Sequence, residues 1–306
     1  MGKKIDHRHF YKTGFVGAPG TFELSGEELH RVQDALCRML ADVMAACDEL
    51  HISCTLGGGS VLGCIRHGGF IPWDDDIDLN MTRRDFCLFA SQFDRTLGRR
   101  YILCGPAGGR RHGMAHYQIK RRGSVYRSFN ELNKPDVGLY LDLFLIENTP
   151  DNALLRSLHG ILCMGFGYLL TCRKTAEDWQ ALAPYLTANR HLHRAYALKR
   201  CIGRLFTWIP LDRLCRLTDR VYRLCRNEHS QYVTIPTGRR HYFGELSLRE
   251  GLCDTKHAVF AGIPVRLPAD TDSYMRRLYG PDYMTPPPPS AREAHVLVAL
   301  SLPEET

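Results

Sequence analysis

The chain has 306 residues, 44% of them apolar and 24% charged, so it can bury a large core as one compact domain with additions or as two domains. Its basic start, MGKKIDHRHF, has no apolar segment behind it, and Gly2 lacks an acylation context. A signal peptide and a membrane span are therefore not expected, and a cytoplasmic location is. Twelve Cys lie scattered, with no C-x-x-C pair and no zinc-like spacing to His, which argues for reduced thiols acting as small apolar residues rather than a disulfide framework.

In chain order, Leu29, Val32, Leu36, Leu40, Val43 and Cys47 recur at helical spacing and predict an amphipathic helix over 27–50, covering one face of a sheet. His51 to Leu56 has the content of a short strand. Gly57, Gly58, Gly59 and Ser60 end that strand where no side chain blocks the backbone, so N–H groups can approach a phosphate if Val61 and Leu62 open a helix. After Pro72, Asp76-Ile77-Asp78-Leu79 alternates acid and apolar. On a strand the two Asp share a face while Ile77 and Leu79 enter the core. Carboxylates forced together repel unless a cation lies between them. A hard divalent ion, Mg2+ or Mn2+, is the usual remedy, and a solvated acidic turn is the plainer alternative. The Gly-rich turn nearby favours the metal.

Thr82 to Gly98 reads as a second helix, capped by Thr82, with Phe86, Phe89, Ala90 and Phe93 inward. Ala115 to Tyr126 reads as a hairpin, in which Lys120 is the favoured contact for a diphosphate and a solvated strand end is the alternative. His112 and His116 are expected to be solvated. Val137 to Ile146 is a strand-forming apolar run whose single charge is Asp142. A lone buried carboxylate is costly without a partner, so a third metal ligand is expected there, with a salt bridge as the alternative.

Ser157 to Cys172 carries no charge apart from any on His159 and is short for a bilayer span. A buried helix is expected, with a face resting on a membrane as the alternative. Residues 190–226 hold ten Lys or Arg against two Asp, a net +8 in a chain whose total is +7. Leu211, Leu214, Cys215, Thr218, Val221, Tyr222 and Cys225 share a helical face, with Arg213, Arg216, Arg220 and Arg223 largely outside it. Such a basic amphipathic helix either packs on the core or attracts an anionic lipid surface or a polyanionic glycan. Beyond Ser230 the pattern returns to short strands and turns, with a hairpin at Gly262 and a helix over Asp272 to Tyr279.

The stretch Leu62-Gly-Cys-Ile-Arg-His-Gly-Gly-Phe-Ile-Pro-Trp-Asp-Asp-Asp-Ile-Asp78 resembles the signature of the LicD family, relatives of fukutin. Asp142-Leu143-Phe144 followed by Pro150 is similar to its second motif. The turn at Gly262, Tyr279-Gly280-Pro281-Asp282-Tyr283-Met284, the prolines, Arg292 and His295 resemble its closing motifs. The resemblance spans roughly residues 30–295 and is least specific in the helical middle. It implies an α+β fold, a nucleotidyltransferase-like mixed sheet flanked by helices with a helical subdomain. The expected division is an extension over 1–28, a catalytic core over 29–150, a basic helical subdomain over 151–230 and completing strands and helix over 231–306.

The implied reaction is metal-dependent transfer of phosphocholine from CDP-choline to a hydroxyl of a glycan or lipid-linked glycan precursor, with CMP released. Asp76, Asp78 and Asp142 are expected to hold Mg2+ or Mn2+ and carry catalysis. Gly58, Gly59, Ser60, Arg66, His67, Trp73, Asp75, Lys120, Arg292 and His295 are expected to bind substrate. Within that set Arg66 alternatively braces the acidic loop, and Trp73 packs either on choline or in the core. Two other readings stand beside it: transfer of another CDP-linked alcohol (ethanolamine, ribitol or glycerol) or of a nucleotide, and a non-catalytic polyanion- or membrane-binding protein. Nucleic acid is not an expected partner.

Overall fold

The computed structural model describes residues 18, 20–107, 113–134, 137–186, 190–292 and 295–303. His112 and most of the N-terminal extension lie outside them. The strands are β1 (Phe22–Glu23), β2 (Cys54–Leu56), β3 (Asp78–Thr82), β4 (Tyr101–Cys104), β5 (Tyr117–Arg121), β6 (Val125–Ser128), β7 (Tyr140–Asn148), β8 (Tyr232–Thr234), β9 (Ser247–Leu248), β10 (Thr255–Phe260), β11 (Ile263–Pro268) and β12 (Val296–Ser301). The helices are α1 (Gly26–Glu49), α2 (Gly58–His67), α3 (Arg83–Thr96), α4 (Ala153–Leu182), α5 (Arg190–Leu205), α6 (Leu211–Tyr222), α7 (His241–Gly244), α8 (Arg249–Cys253) and α9 (Thr271–Tyr279).

The main sheet runs β2-β3-β7-β5-β4, with β8 and β9 added at the far end of β7. It is mixed: β3 and β7 are parallel, the other neighbours antiparallel. Ile77, Leu79, Leu141, Leu143 and Ile119 are fully buried on one face. α1 supplies Val32, Leu36, Met39, Leu40 and Val43 to the same core, and α3 adds Phe86, Phe89 and Phe93. The Thr82 hydroxyl accepts from the Asp85 N–H and starts α3. Because strand residues alternate, Asp78 and Asp142 fall on the opposite face, away from this core.

Two expectations about elements fail. The hairpin over 115–126 does not form: β5 is a central strand, bonded to β4 and β7, so both its edges are taken. β6 instead leaves for a second sheet, β1-β12-β6. The buried helix over 157–172 is the N-terminal half of α4, and much of it is outside. Leu154 is 69% exposed, Leu158 50% and Ile161 61%. The hairpin at Gly262 does form between β10 and β11, longer at its start, with Ala261 and Gly262 both at positive φ as a two-residue turn requires.

Residues from 29–150 and 231–306 share the largest core, whereas α4, α5 and α6 build smaller apolar clusters that also take in Ala115, Phe129, Tyr242 and Val296. One buried ionic cluster fastens α6 to the sheet. Arg83 at the start of α3 bonds the Glu147 carboxylate on β7 and the Asp219 Oδ1 on α6, the latter at 2.9 Å. Burial opposes the Arg83 charge, but the two acids more than offset it and hold the guanidinium firmly protonated. Arg83→Met removes the cation that Glu147 and Asp219 share and leaves these buried acids only Arg223, 3.9 Å from Asp219. It should cost about 3–5 kcal/mol of unfolding free energy in a denaturant titration. A loss below about 1 kcal/mol would show that the cluster does not hold α6 in place.

Candidate active site

Backbone pairing builds the site. Asp78 and Asp142 are directly opposed across the parallel β3–β7 ladder, and the Asp142 N–H donates to the Ile77 carbonyl at 3.0 Å. Gln118 on β5 is the antiparallel partner of Asp142 on its other side. Directly paired residues share a face, so Asp78, Asp142 and Gln118 form a row across three strands. Asp76, two residues before Asp78, extends that row beyond the end of β3.

The glycine turn closes onto the same acids. Ser60 Oγ accepts from the Asp78 N–H at 2.9 Å, and the Gly59 N–H donates to Asp78 Oδ2 at 3.2 Å. Gly58 has φ +39, and a Cβ there would stand 2.2 Å from Asp78 Oδ2. The residue must be glycine for the start of α2 to lie against the carboxylate. The Tyr274 hydroxyl on α9 accepts from the Gly58 N–H at 3.2 Å and from Asn80 Nδ2 at 3.3 Å. Tyr279 lies beside Gly59.

Each carboxylate of the trio faces an amide or an imidazole. Asp142 Oδ1 accepts from Gln118 Nε2 at 2.9 Å and lies 3.3 Å from His116 Nε2. Burial works against the Asp142 charge, yet His116 and Gln118 hold its carboxyl below the usual carboxylate range. His295 Nε2 is 3.7 Å from Asp76 Oδ2, while His295 Nδ1 bonds Asp75 Oδ1 at 2.7 Å. Among the described residues no three His, Cys, Asp or Glu side chains are already gathered as a ligand set. The donor chemistry nonetheless fits a hard cation, since Asp76, Asp78 and Asp142 offer carboxylate oxygens on one side of the sheet.

Several residues expected to touch substrate have other work. Asp75 is 4% exposed, and its oxygens are taken by the Tyr126 hydroxyl and His295, so it orients His295 rather than meeting a ligand. Lys120 is 1% exposed and ion-paired to Glu131 inside the protein, which corrects its assignment to a diphosphate. Burial pushes the Glu131 carboxyl up against the opposing pull of Lys120. Arg66 bonds the Tyr283 carbonyl at 3.0 Å and His67 Nε2 at 2.9 Å, both outside the acidic loop, and His67 is exposed at the end of α2. Trp73 carries the Arg292 guanidinium over its ring at 4.2 Å, so a cation already stands on that face.

His116 is not a solvated histidine but a partner of Asp142, stacked on Phe144. Gln118, Asn80, Tyr274, Tyr279 and Glu245 also reach the site and were not foreseen. Alternation along 116–120 is the one signal that could have found Gln118, because it puts positions 116, 118 and 120 on one face.

Residues 51–149 match the family described as LicD/FKTN/FKRP, nucleotidyltransferase domain. That stretch of the chain is thus similar to a LicD-family domain. Over 60 residues it is also 48% identical to the lipopolysaccharide cholinephosphotransferase LicD of Haemophilus influenzae, a match that covers 19% of this chain and 23% of that relative. The chain therefore aligns with less than a quarter of the curated relative's length. The LicD-family domain contains the glycine turn, the acids and Asp142, whereas Tyr274, Tyr279, Glu245 and His295 come from beyond it.

Glu245 gives the site a pH signature. It is 2% exposed, accepts from the Arg240 N–H at 2.9 Å, and burial, aided by the Asp78 charge, lifts its carboxyl to about 7. The folded chain keeps this proton after the unfolded chain has lost its own. The resulting stabilisation is present below the ordinary Glu range and disappears as pH rises towards 7. Relative to Glu245→Gln, the native protein should lose roughly 3 kcal/mol between pH 4.5 and 8 in denaturant titrations. Parallel pH profiles for the two proteins would contradict this.

Proposed function

We propose that the chain is a divalent-cation-dependent LicD-type transferase that moves phosphocholine from CDP-choline to a hydroxyl of a cell-surface glycan or glycolipid precursor and releases CMP. The observation that carries this reading is the register of Asp78 against Asp142 beside Gly58–Ser60, inside the LicD-family domain. The relative's name supports choline and an acceptor of the lipopolysaccharide type; teichoic acid and capsule precursors present hydroxyls of the same chemistry. The order of glycine turn, acid-x-acid and a later acid on the adjoining strand supports a nucleotidyltransferase-like arrangement, with residues 29–150 as catalytic core and 151–230 as a helical subdomain. We place the reaction at the cytoplasmic face of a membrane, where lipid-linked precursors are reached.

Asp76, Asp78 and Asp142 would hold Mg2+ or Mn2+. When bound, the ion neutralises diphosphate charge and the departing CMP oxygen. Asp142, kept ionised by His116 and Gln118, either completes that ligand set or takes the proton of the acceptor hydroxyl as its oxygen bonds to the distal phosphorus. The bond from that phosphorus to the bridging oxygen breaks in line, and CMP leaves. The Gly58 and Gly59 amides at the start of α2, bonded to Tyr274 and Asp78, would suit a phosphate oxygen on turning from these partners. Asp75 fixes His295, which faces Asp76 and keeps that carboxylate from swinging away.

One observation favours a second reading for the alcohol. Trp73, the ring suited to a quaternary ammonium, already carries Arg292, so the donor's head group is the less constrained half of the assignment. Incubating the protein and Mg2+ with CDP-choline, CDP-ethanolamine, CDP-ribitol and CDP-glycerol separates the readings: CMP release from CDP-choline foremost is expected. Asp76→Asn and Asp78→Asn should each lower that release by about 100-fold or more while the melting transition stays cooperative. Undiminished turnover in either variant would remove the acids from the mechanism.

A further inference from the structure

The apolar surface of α4 has no counterpart in the reaction described above. Leu154, Leu158, Ile161, Gly165, Tyr168, Cys172, Ala176 and Trp179 fall at i, i+4, i+7 spacing on one stripe of the helix. The C-terminal half of that stripe is covered by α5. A Cβ at Gly203 would stand 2.0 Å from the Cys172 carbonyl and 2.9 Å from Ala176, and Arg200 lies over Trp179 at 4.6 Å. The N-terminal half is open, and Leu154, Leu158, Ile161 and Tyr168 are 69%, 50%, 61% and 48% exposed. Where α5 ends and its cover stops, Leu205 and Trp208 project at 74% and 76% exposure and continue the apolar surface. Exposed patches of this extent mark interaction sites.

We infer that this face of α4, together with Leu205 and Trp208, is an in-plane attachment site for an anionic lipid surface. Three observations select the occupant. First, the patch borders the segment 190–226 with its net +8, in which Arg204 and Arg213 flank Leu205 and Trp208 and are exposed. Second, Trp208 adjoins an apolar stripe and a basic rim, the position an amphipathic ring takes at the headgroup boundary. Third, the opposite face of α4 is packed in protein: His159 Nε2 bonds the Val221 carbonyl at 2.9 Å, and Cys163 and Leu170 are 2% and 3% exposed. α4 with the turn that follows it is long and apolar enough to cross a bilayer by length and composition. A helix with one face in protein and one outside suits lying in the interface, not crossing it. A second copy of the chain is the less suited occupant, because pairing these faces would bring two +8 segments together. The inference is independent of the donor and acceptor assigned above.

The test is flotation of the full chain with vesicles of neutral phosphatidylcholine alone and with phosphatidylglycerol added, using Leu158→Glu/Ile161→Glu as the variant. Both positions are already exposed, so the variant should keep the native melting transition and the native rate of CMP release from soluble donor. The wild type should float with anionic vesicles, bind neutral vesicles less, and lose at least about tenfold of its partitioning in the variant. Equal flotation of wild type and variant, or no flotation of the wild type with anionic vesicles, would overturn the inference. A wild-type dimer that the variant converts to monomer would assign the face to a second copy and overturn it equally. Neither result depends on whether CDP-choline is turned over.

Discussion

The parallel pairing of β3 with β7 is the constraint on which the site depends. It sets Asp78 opposite Asp142, two like charges on neighbouring strands, a contact that is repulsive unless compensated. The fold supplies compensation from three directions. The Gly59 amide meets Asp78, His116 and Gln118 meet Asp142, and His295 faces Asp76. The pairing also fixes which face is dry, since Ile77, Leu79, Leu141 and Leu143 occupy the alternate positions and are fully buried. A shift of β3 by one residue would exchange the acids with these side chains, so the core and the site select the same register.

The elements that carry strong periodic patterns were legible. α1, α3 and β7 follow from apolar spacing, and the acid row follows from alternation once residues 76–79 are taken as strand-like. What failed was the identity of partners. Alternation puts Lys120 on a face but does not reveal that Glu131 waits inside for its ammonium. Asp75 stands in a run of three acids, yet Tyr126 and His295, far along the chain, draw it inward. The pairing of β5 with β4 and β7 defeated the hairpin because a short turn sets which strands are adjacent in sequence, not which edges are free. α4 was misread for a related reason: a chargeless helical stretch has the same composition whether its outer face meets protein or lipid.

The matched LicD-family domain is not self-sufficient as a site. Its glycine turn is buttressed by Tyr274, its acids are bordered by Glu245, and the histidine facing Asp76 lies at the entrance to β12. The same terminal segment contributes Leu297 to the main core and pairs with β6, so the packing that completes the fold also delivers His295. On the other side, the Arg83 cluster ties the basic helix α6 to β7, the strand that bears Asp142. The basic helix and the acidic row are thereby joined through one strand.

The central claim is that Asp76, Asp78 and Asp142 act together on one divalent cation beside the start of α2. A crystal structure of the protein grown with Mn2+, with anomalous diffraction collected at the manganese edge, tests it most directly. The account predicts one anomalous peak bonded to oxygens of all three carboxylates, with Asp78 turned from the Gly59 amide. Peaks confined to other residues, or none with the ion in saturating excess, would contradict it.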